Sequence, residues 1–144
     1  MIEEIRHQNE VLAIILRSDF HKPGVSFVTP DEFSQQLAYM QHPAGKQIQP
    51  HVHKAVRREV NYTFEVLVIK KGKLRVDFYT STQEYLHSKL LVTGDTILLT
   101  EAGGHGFEVL EELEMLEIKQ GPYCADQDKT RFTRPEDFHP QIVN

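Results

Sequence analysis

The chain has 144 residues, of which 40% are hydrophobic and 26% are charged. This length and composition predict one folded domain with a single core and exclude an intrinsically disordered chain. The longest apolar run, residues 11–16, is far shorter than the roughly 20 residues that cross a bilayer, and a net charge of -5 argues against a nucleic-acid-binding surface. We therefore expect a small-molecule ligand and neither a nucleic acid nor a membrane as partner.

Short apolar or alternating runs separated by turn residues fill most of the chain and predict an all-β sandwich or barrel. In chain order, the predicted strands lie near residues 11–17, 24–29, 37–41, 47–53, 63–70, 73–80, 85–92, 96–100, 105–110 and 113–120. The clearest pair is a hairpin from Glu65 to Tyr79 that turns at Lys71 and Gly72, because a glycine adopts the positive φ that such a turn requires. So many short strands require two sheets.

One short helix is predicted between the strands, near residues 31–36. Thr29 offers an N-cap, Pro30 suits the first helical position, and Glu32 completes a capping box. After residue 121 the apolar pattern ends and polar residues dominate. The predicted organisation is one barrel domain over 1–121 and a polar tail over 122–144 that lies on the domain or frays.

Two features predict a cytoplasmic protein. The N-terminal residues 1–5 are acidic, whereas a secretory signal is basic at this point. The single cysteine, Cys124, cannot form an intrachain disulfide. A reducing compartment fits both observations, so the stability has to come from the core.

The chain contains eight histidines, and two of them form the pattern His51-x-His53. On a strand both rings would project from one face, about 6 to 7 Å apart, which suits two ligands of one metal ion. The pair alone is weak support, because two surface histidines explain it equally well. Five of the other six, His7, His21, His42, His87 and His139, fit no ligand spacing and are interpreted as surface residues.

Spaced glycines, a glutamate and a third histidine surround this pair. The positions concerned are Gly45, His51, His53, Glu65, Gly72, Gly94 and His105. In this arrangement the chain resembles the cupin superfamily, whose first motif is glycine, five residues, His-x-His, three or four residues, glutamate, six residues and glycine. The second motif of the family is matched at its glycine and its histidine, whereas Thr100, Ala102 and Val109 stand where it has proline, glycine and asparagine. Eleven residues separate His53 from Glu65, which predicts a longer loop at this point.

The resemblance covers residues 40 to 120 and implies a double-stranded β-helix, the jelly-roll barrel of cupins. It also implies one divalent transition metal, Fe, Mn, Zn or Ni, bound by His51, His53, Glu65 and His105. Neutral imidazoles and one carboxylate suit such an ion chemically. Glu59 competes for the carboxylate role because it is nearer to His53, but the strand phase of Glu65 and its spacing to Gly72 favour Glu65. A solvated strand end at Glu65 and a turn histidine at His105 are the alternatives.

The loop after His53 offers substrate-binding candidates. Arg57 and Arg58 would grip a carboxylate or phosphate at the barrel mouth, or they are solvated and paired with Glu59. Tyr62 points into the pocket or into solvent, and Phe107 is either an apolar wall beside the ion or part of the core.

On the last predicted strand, Glu117 and Lys119 share a face. Facing the cavity they would serve as acid and base, but the pattern favours an outward, solvated face.

The first functional hypothesis is a small metalloenzyme, a metal-dependent dioxygenase or isomerase that acts on an anionic or sugar-like molecule. Its general acid and base stay unassigned. The alternatives are a non-catalytic module that binds a small ligand or a metal, and a metal-independent sugar-nucleotide epimerase or isomerase that uses histidine as a base. A homodimer is expected, because residues 11–16 and 66–69 are apolar on both strand faces.

Overall fold

The computed structural model describes residues 1–125 and 127–144, and within them it contains strands and turns but no helix. The strands, in chain order, are β1 (Ile2–His7), β2 (Glu10–Leu16), β3 (Gly24–Phe27), β4 (Ala38–Gln41), β5 (Glu65–Tyr79), β6 (Tyr85–Val92), β7 (Thr96–Leu99) and β8 (Gly104–Lys119). Six of them form an antiparallel sheet in the order β1-β2-β7-β5-β6, with β8 also paired to β5, while β3 and β4 form a small separate sheet. The large sheet curls into a half-barrel. The all-β class predicted from the sequence is confirmed.

Strand β5 is continuous, so the hairpin predicted between Glu65 and Tyr79 is wrong. On one edge it pairs first with β7 and then with β6, and on the other edge it pairs with β8 along its length. Gly72 does have a φ of +90°, but an added Cβ would lie 2.0 Å from the carbonyl oxygen of Glu112 on β8. The glycine therefore permits a close approach at a β-bulge, and the chain does not reverse there.

Other strand predictions also differ from the structure. The strands predicted at 105–110 and 113–120 are one strand, β8, whose register shifts opposite the bulge in β5. Residues 47–53 form no strand; Pro50 lacks the N–H that a ladder needs, and no neighbouring strand pairs with this segment. Strand β1 was not predicted, since Glu3 and Glu4 interrupt its apolar pattern.

The helix predicted near 31–36 is not formed, and turns occupy this segment. The side-chain amide of Gln36 donates hydrogen bonds to the carbonyls of Pro30 and Phe33, both at 2.9 Å. The hydroxyl of Thr29 donates to Gln36 Oε1 and accepts from the backbone N–H of Leu37, so it does not cap a helix. A side chain thus satisfies the carbonyls that helical N–H groups would otherwise satisfy.

Apolar side chains fill both faces of the sheet at β2, β5 and β7. A larger cluster includes Leu67, Ile69 and Ile97, and a smaller one on the opposite face is formed by Phe64, Val66 and Leu98. Residues 11–16 and 66–69 are therefore covered largely within the protomer. They do not supply the apolar dimer surface that the sequence predicts for them.

A largely buried ionic cluster, in which Glu3 and Arg17 stay partly exposed, joins the two ends of the strand order. The carboxylate of Glu3, on β1, accepts hydrogen bonds from Arg17, which follows β2, and from Lys89 on β6. Arg17 also donates to Asp95 Oδ2 at 2.9 Å and to the carbonyl of Leu90 at 2.7 Å. Because β1 and β6 are the first and last strands of the sheet order, these contacts stabilise the curl of the sheet.

Residues after 121 lie partly against the sheet. The backbone of Ser88 on β6 accepts from Val143 and donates to Gln141. The ring of Phe138 packs against the guanidinium groups of Arg75 and Arg134, at 5.6 and 5.3 Å from its centroid. The polar tail is thus anchored through a few aromatic and basic residues. In the described part of the chain, no helix is long and apolar enough to cross a membrane.

Candidate functional site

Glu65 and His105 meet inside the curl of the sheet. Glu65 begins β5, whereas His105, near the start of β8, pairs with Phe78 at the opposite end of β5. A straight strand of 15 residues would hold these ends about 50 Å apart. Instead, His105 Nε2 lies 3.1 Å from Glu65 Oε2. The curl and the bulges of the sheet therefore bring the two side chains together, which no local sequence pattern specifies.

The charges near Glu65 keep its carboxylate ionised. Contact with His105 lowers the pKa of Glu65, burial opposes this, and the positive charge of Lys119 adds to the lowering. Lys119 Nζ lies 4.0 Å from Glu65 Oε1 and 3.9 Å from Glu117 Oε1. Glu117 lines the cavity described next, so the outward orientation favoured from the sequence is wrong for this residue.

A cavity of about 630 Å³ opens beside Glu65 and His105. This volume is in the range of pockets that bind small molecules. Among the described residues, its charged lining groups other than the histidine are four acids and three bases: Glu65, Glu101, Glu117, Asp128, Lys129, Arg131 and Arg134. Its aromatic lining residues are Tyr62, Tyr79, Phe107 and Phe132. The cavity therefore offers aromatic faces and many hydrogen-bonding groups without an excess of positive charge.

Tyr79 lines this cavity and carries a buried hydroxyl. The residue is 3% exposed, and its hydroxyl has no hydrogen-bond partner within the described protein. Burial, together with the negative charge of Asp77, raises the pKa of Tyr79, so the hydroxyl remains protonated at neutral pH. A buried hydroxyl without a partner costs about 1–3 kcal/mol, which a bound polar ligand would recover.

The C-terminal segment forms one wall of the cavity. The ring of Phe132 packs edge-on against Tyr79, with centroids 5.0 Å apart. Arg134 approaches Asp77 and Glu108, each at 3.4 Å, and donates to the carbonyl of Phe107. The sequence interpretation missed this wall because the segment lacks an apolar period. Its isolated aromatic residues were the available signal that it packs on the domain.

The structure separates the substrate-binding residues predicted from the sequence. Tyr62 and Phe107 line the cavity, and the Phe107 ring lies 5.3 Å from that of His105 while also packing against the core. Arg57 and Arg58 lie in an exposed loop and do not line the cavity. Glu59 lines a second cavity of about 510 Å³.

The four predicted metal ligands form two pairs. Glu65 and His105 are one pair, and the rings of His51 and His53, in the exposed loop, lie 5.2 Å apart as the other. Within residues 1–125 and 127–144, no group of three or more histidine, cysteine or carboxylate side chains could hold a metal ion.

No family model, curated protein or solved structure matches the chain.

Proposed function

We propose that the cavity beside Glu65 and His105 binds a small polyhydroxylated molecule and catalyses proton transfer at a carbon next to its carbonyl group. The observation that carries this proposal is the contact between His105 Nε2 and Glu65 Oε2 inside a cavity of ligand size. A histidine oriented by a carboxylate is a common general base. The reaction class is isomerisation or epimerisation, and metal-independent enzymes of this kind are among those that the sequence suggests.

His105, Glu65 and Tyr79 have different roles in the proposed proton transfer. With its proton on Nε2, directed at Glu65, His105 keeps a lone pair on Nδ1, and this atom accepts the substrate proton. The Glu65 carboxylate stabilises the imidazolium that forms, since contact with His105 already lowers the pKa of Glu65 despite its burial. Tyr79 donates a hydrogen bond to a ligand oxygen from its unpartnered hydroxyl.

The lining favours a neutral, sugar-like ligand over a strongly anionic one. Acids outnumber bases among the charged lining residues, so a multiply charged anion would meet net repulsion. Aromatic rings such as Phe107 offer flat apolar faces, and carboxylates and threonines offer hydrogen bonds to hydroxyl groups.

Exchange with deuterated solvent tests the reaction. The protein, with a chelator, is incubated in D₂O with a panel of aldoses and ketoses, and deuterium incorporation next to the carbonyl is followed by NMR. We expect exchange by the wild type and a decrease of about 10²- to 10⁴-fold in His105→Asn. The matched control, His139→Asn, changes an exposed histidine outside the cavity and should exchange normally. Binding without exchange would identify a non-catalytic module.

A second candidate is the metal centre that the cupin resemblance implies, with a fold that closes into a double-stranded β-helix. The observation that favours it is the exposure of the segment that carries His51 and His53, because none of residues 42–58 is buried against the described part of the chain. Such a centre would hold an ion through three imidazoles and one carboxylate. Metal analysis of the purified protein should then find close to one divalent ion per chain. Its retention in the His51→Ala, His53→Ala double variant would contradict the ligand assignment.

A further inference from the structure

From position 108 onward, strand β8 leaves one edge of the sheet without a pairing strand among the described residues; before that position, Arg134 donates to the carbonyl of Phe107. Among the described residues it pairs only with β5, and most of its side chains from position 108 onward are exposed. Val109, Leu116 and Ile118 are large apolar residues on this exposed strand. An exposed strand edge with apolar side chains is a template for pairing with another chain.

The exposed strand is also acidic. It carries five glutamates and one lysine, in the sequence GHGFEVLEELEMLEIK. Glu108, Glu112 and Glu117 form ion pairs. No ion pair involves Glu111 or Glu114 in the described part of the chain, although they stand opposite Lys73 and Lys71 on β5. Direct pairing of β8 with a second β8 would therefore place like charges together, so its partner should be basic.

The chain carries a segment with the complementary character, residues 42–62, which we call the basic loop. It contains four basic residues, Lys46, Lys54, Arg57 and Arg58, and one acidic residue, Glu59. Every residue of the basic loop is exposed. Ile48, Val52 and Val56 are among them, and Val52 is 89% exposed. Its last residues, 59–62, line the two cavities of their own protomer. The exposed apolar side chains before them indicate contact with another surface.

We propose that the basic loop of one protomer lies along the outer edge of β8 of a second copy, and that the reciprocal contact forms a two-fold dimer. Charge complementarity selects the pairing, because the net-positive loop meets the net-negative strand. Apolar side chains on both partners are covered at the same time. Two-fold symmetry makes each contact twice, which helps such extended segments to approach the roughly 1,200–2,000 Å² that stable interfaces bury.

The dimer also changes the surroundings of the candidate site. His51 and His53 belong to the basic loop, and His105 belongs to β8. The proposed contact therefore brings the loop histidines of one copy to the strand that carries the third histidine in the other copy. This consequence rests on the metal-centre candidate, whereas the dimer itself rests only on charge, exposure and the free strand edge.

Charge reversal and mixing test the proposal with the full chain. The loop variant carries Lys54→Glu, Arg57→Glu and Arg58→Glu, and the strand variant carries Glu111→Lys and Glu114→Lys. By light scattering coupled to gel filtration, the wild type should have twice the monomer mass, and each variant alone should be monomeric because like charges then face each other. An equimolar mixture of the two variants should restore the dimer mass, since the reversed loop then faces the reversed strand.

Several results would overturn the proposal. A monomeric wild type would mean that nothing, or only the loop of the same chain, covers β8. Variants that stay dimeric would place the interface elsewhere, and a mixture that stays monomeric would exclude the reciprocal pairing. If the strand variant fails to fold, the loop variant and the salt dependence of the wild type still test whether the basic loop forms the dimer. The wild-type dissociation constant should rise about tenfold or more between low and high salt, and a constant value would contradict a charge-selected interface.

Discussion

Replacing Asp95 tests whether the ionic cluster stabilises the curl of the sheet. The side chain is 1% exposed and accepts three hydrogen bonds, from Arg17, from the Ser18 N–H at 2.9 Å and from the Val92 N–H at 3.1 Å. In Asp95→Asn, the oxygen that faces Ser18 is retained, and an NH₂ group replaces the oxygen that faces the other two donors. The shape is conserved, so the change isolates charge and hydrogen bonding.

The expected cost is large for such a small change. Breaking a buried ion pair by removing one partner costs about 3–5 kcal/mol. Arg17 keeps its contact with Glu3, so we expect the lower limit, about 3 kcal/mol. A domain of this size loses roughly 2–4 °C in Tm per kcal/mol, so the transition should fall by about 6–12 °C.

Chemical denaturation measures the loss in free energy of unfolding, and thermal denaturation measures the fall in Tm. Both are followed by far-ultraviolet circular dichroism, since the chain has no tryptophan. The matched control is Asp19→Asn, because Asp19 and the N-terminal amine that it binds are both exposed, so its replacement should leave the transition unchanged. A cycle with Glu3→Gln should be non-additive, because both carboxylates share Arg17. A loss below about 1 kcal/mol in Asp95→Asn would refute the role assigned to the cluster.

Two further predictions concern the bulge and the pH dependence. Gly72→Ala should destabilise the protein by at least about 2 kcal/mol in the same assay, because the new Cβ would meet a β8 carbonyl oxygen at 2.0 Å and φ is positive. The control is Gly45→Ala, where φ is also positive but no atom lies within 4 Å of the added Cβ, and equal effects of the two changes would contradict this account. Burial, with a smaller effect of Lys89, lowers the pKa of His87 below its usual 6.5. Burial raises the pKa of Glu3, but the hydrogen bonds and positive charges of Arg17 and Lys89 outweigh it and lower this pKa below 4.5. Both pKa values are lower in the folded state, so the free energy of unfolding should decrease as the pH falls below about 6.5 and again below about 4.5. His87→Gln should remove the first decrease, and a wild-type stability that is flat from neutral pH to pH 4 would disprove this assignment.

The sequence predicted the strands better than their connections. Alternating and β-branched runs located β2, β6 and β7 closely, because strand propensity and side-chain alternation are local properties. Gly72 was recognised as a residue with positive φ, but the same φ suits a turn or a bulge. Only the pairing partner on β8 decided between them.

The candidate site was predicted in part for the same reason. Glu65 and His105 were selected by spacing, and the structure places them in contact, although their meeting depends on the curl of the whole sheet. Tyr79 and Arg134 were missed because nothing in their neighbourhood in the sequence marks a site. Their positions depend on a C-terminal segment that folds back onto the domain.

By itself, the sequence determined the β class, most strand positions and the residue types available for chemistry, since these depend on patterns over a few neighbouring residues. The tertiary structure alone decided which side chains meet, because contacts such as that between Glu65 and His105 join opposite ends of long strands. It also decided which apolar and charged surfaces lack a partner within the protomer, since burial depends on every element packed nearby. The outer edge of β8 is such a surface: the sequence shows its acidic and apolar composition, and only the structure shows that it is exposed.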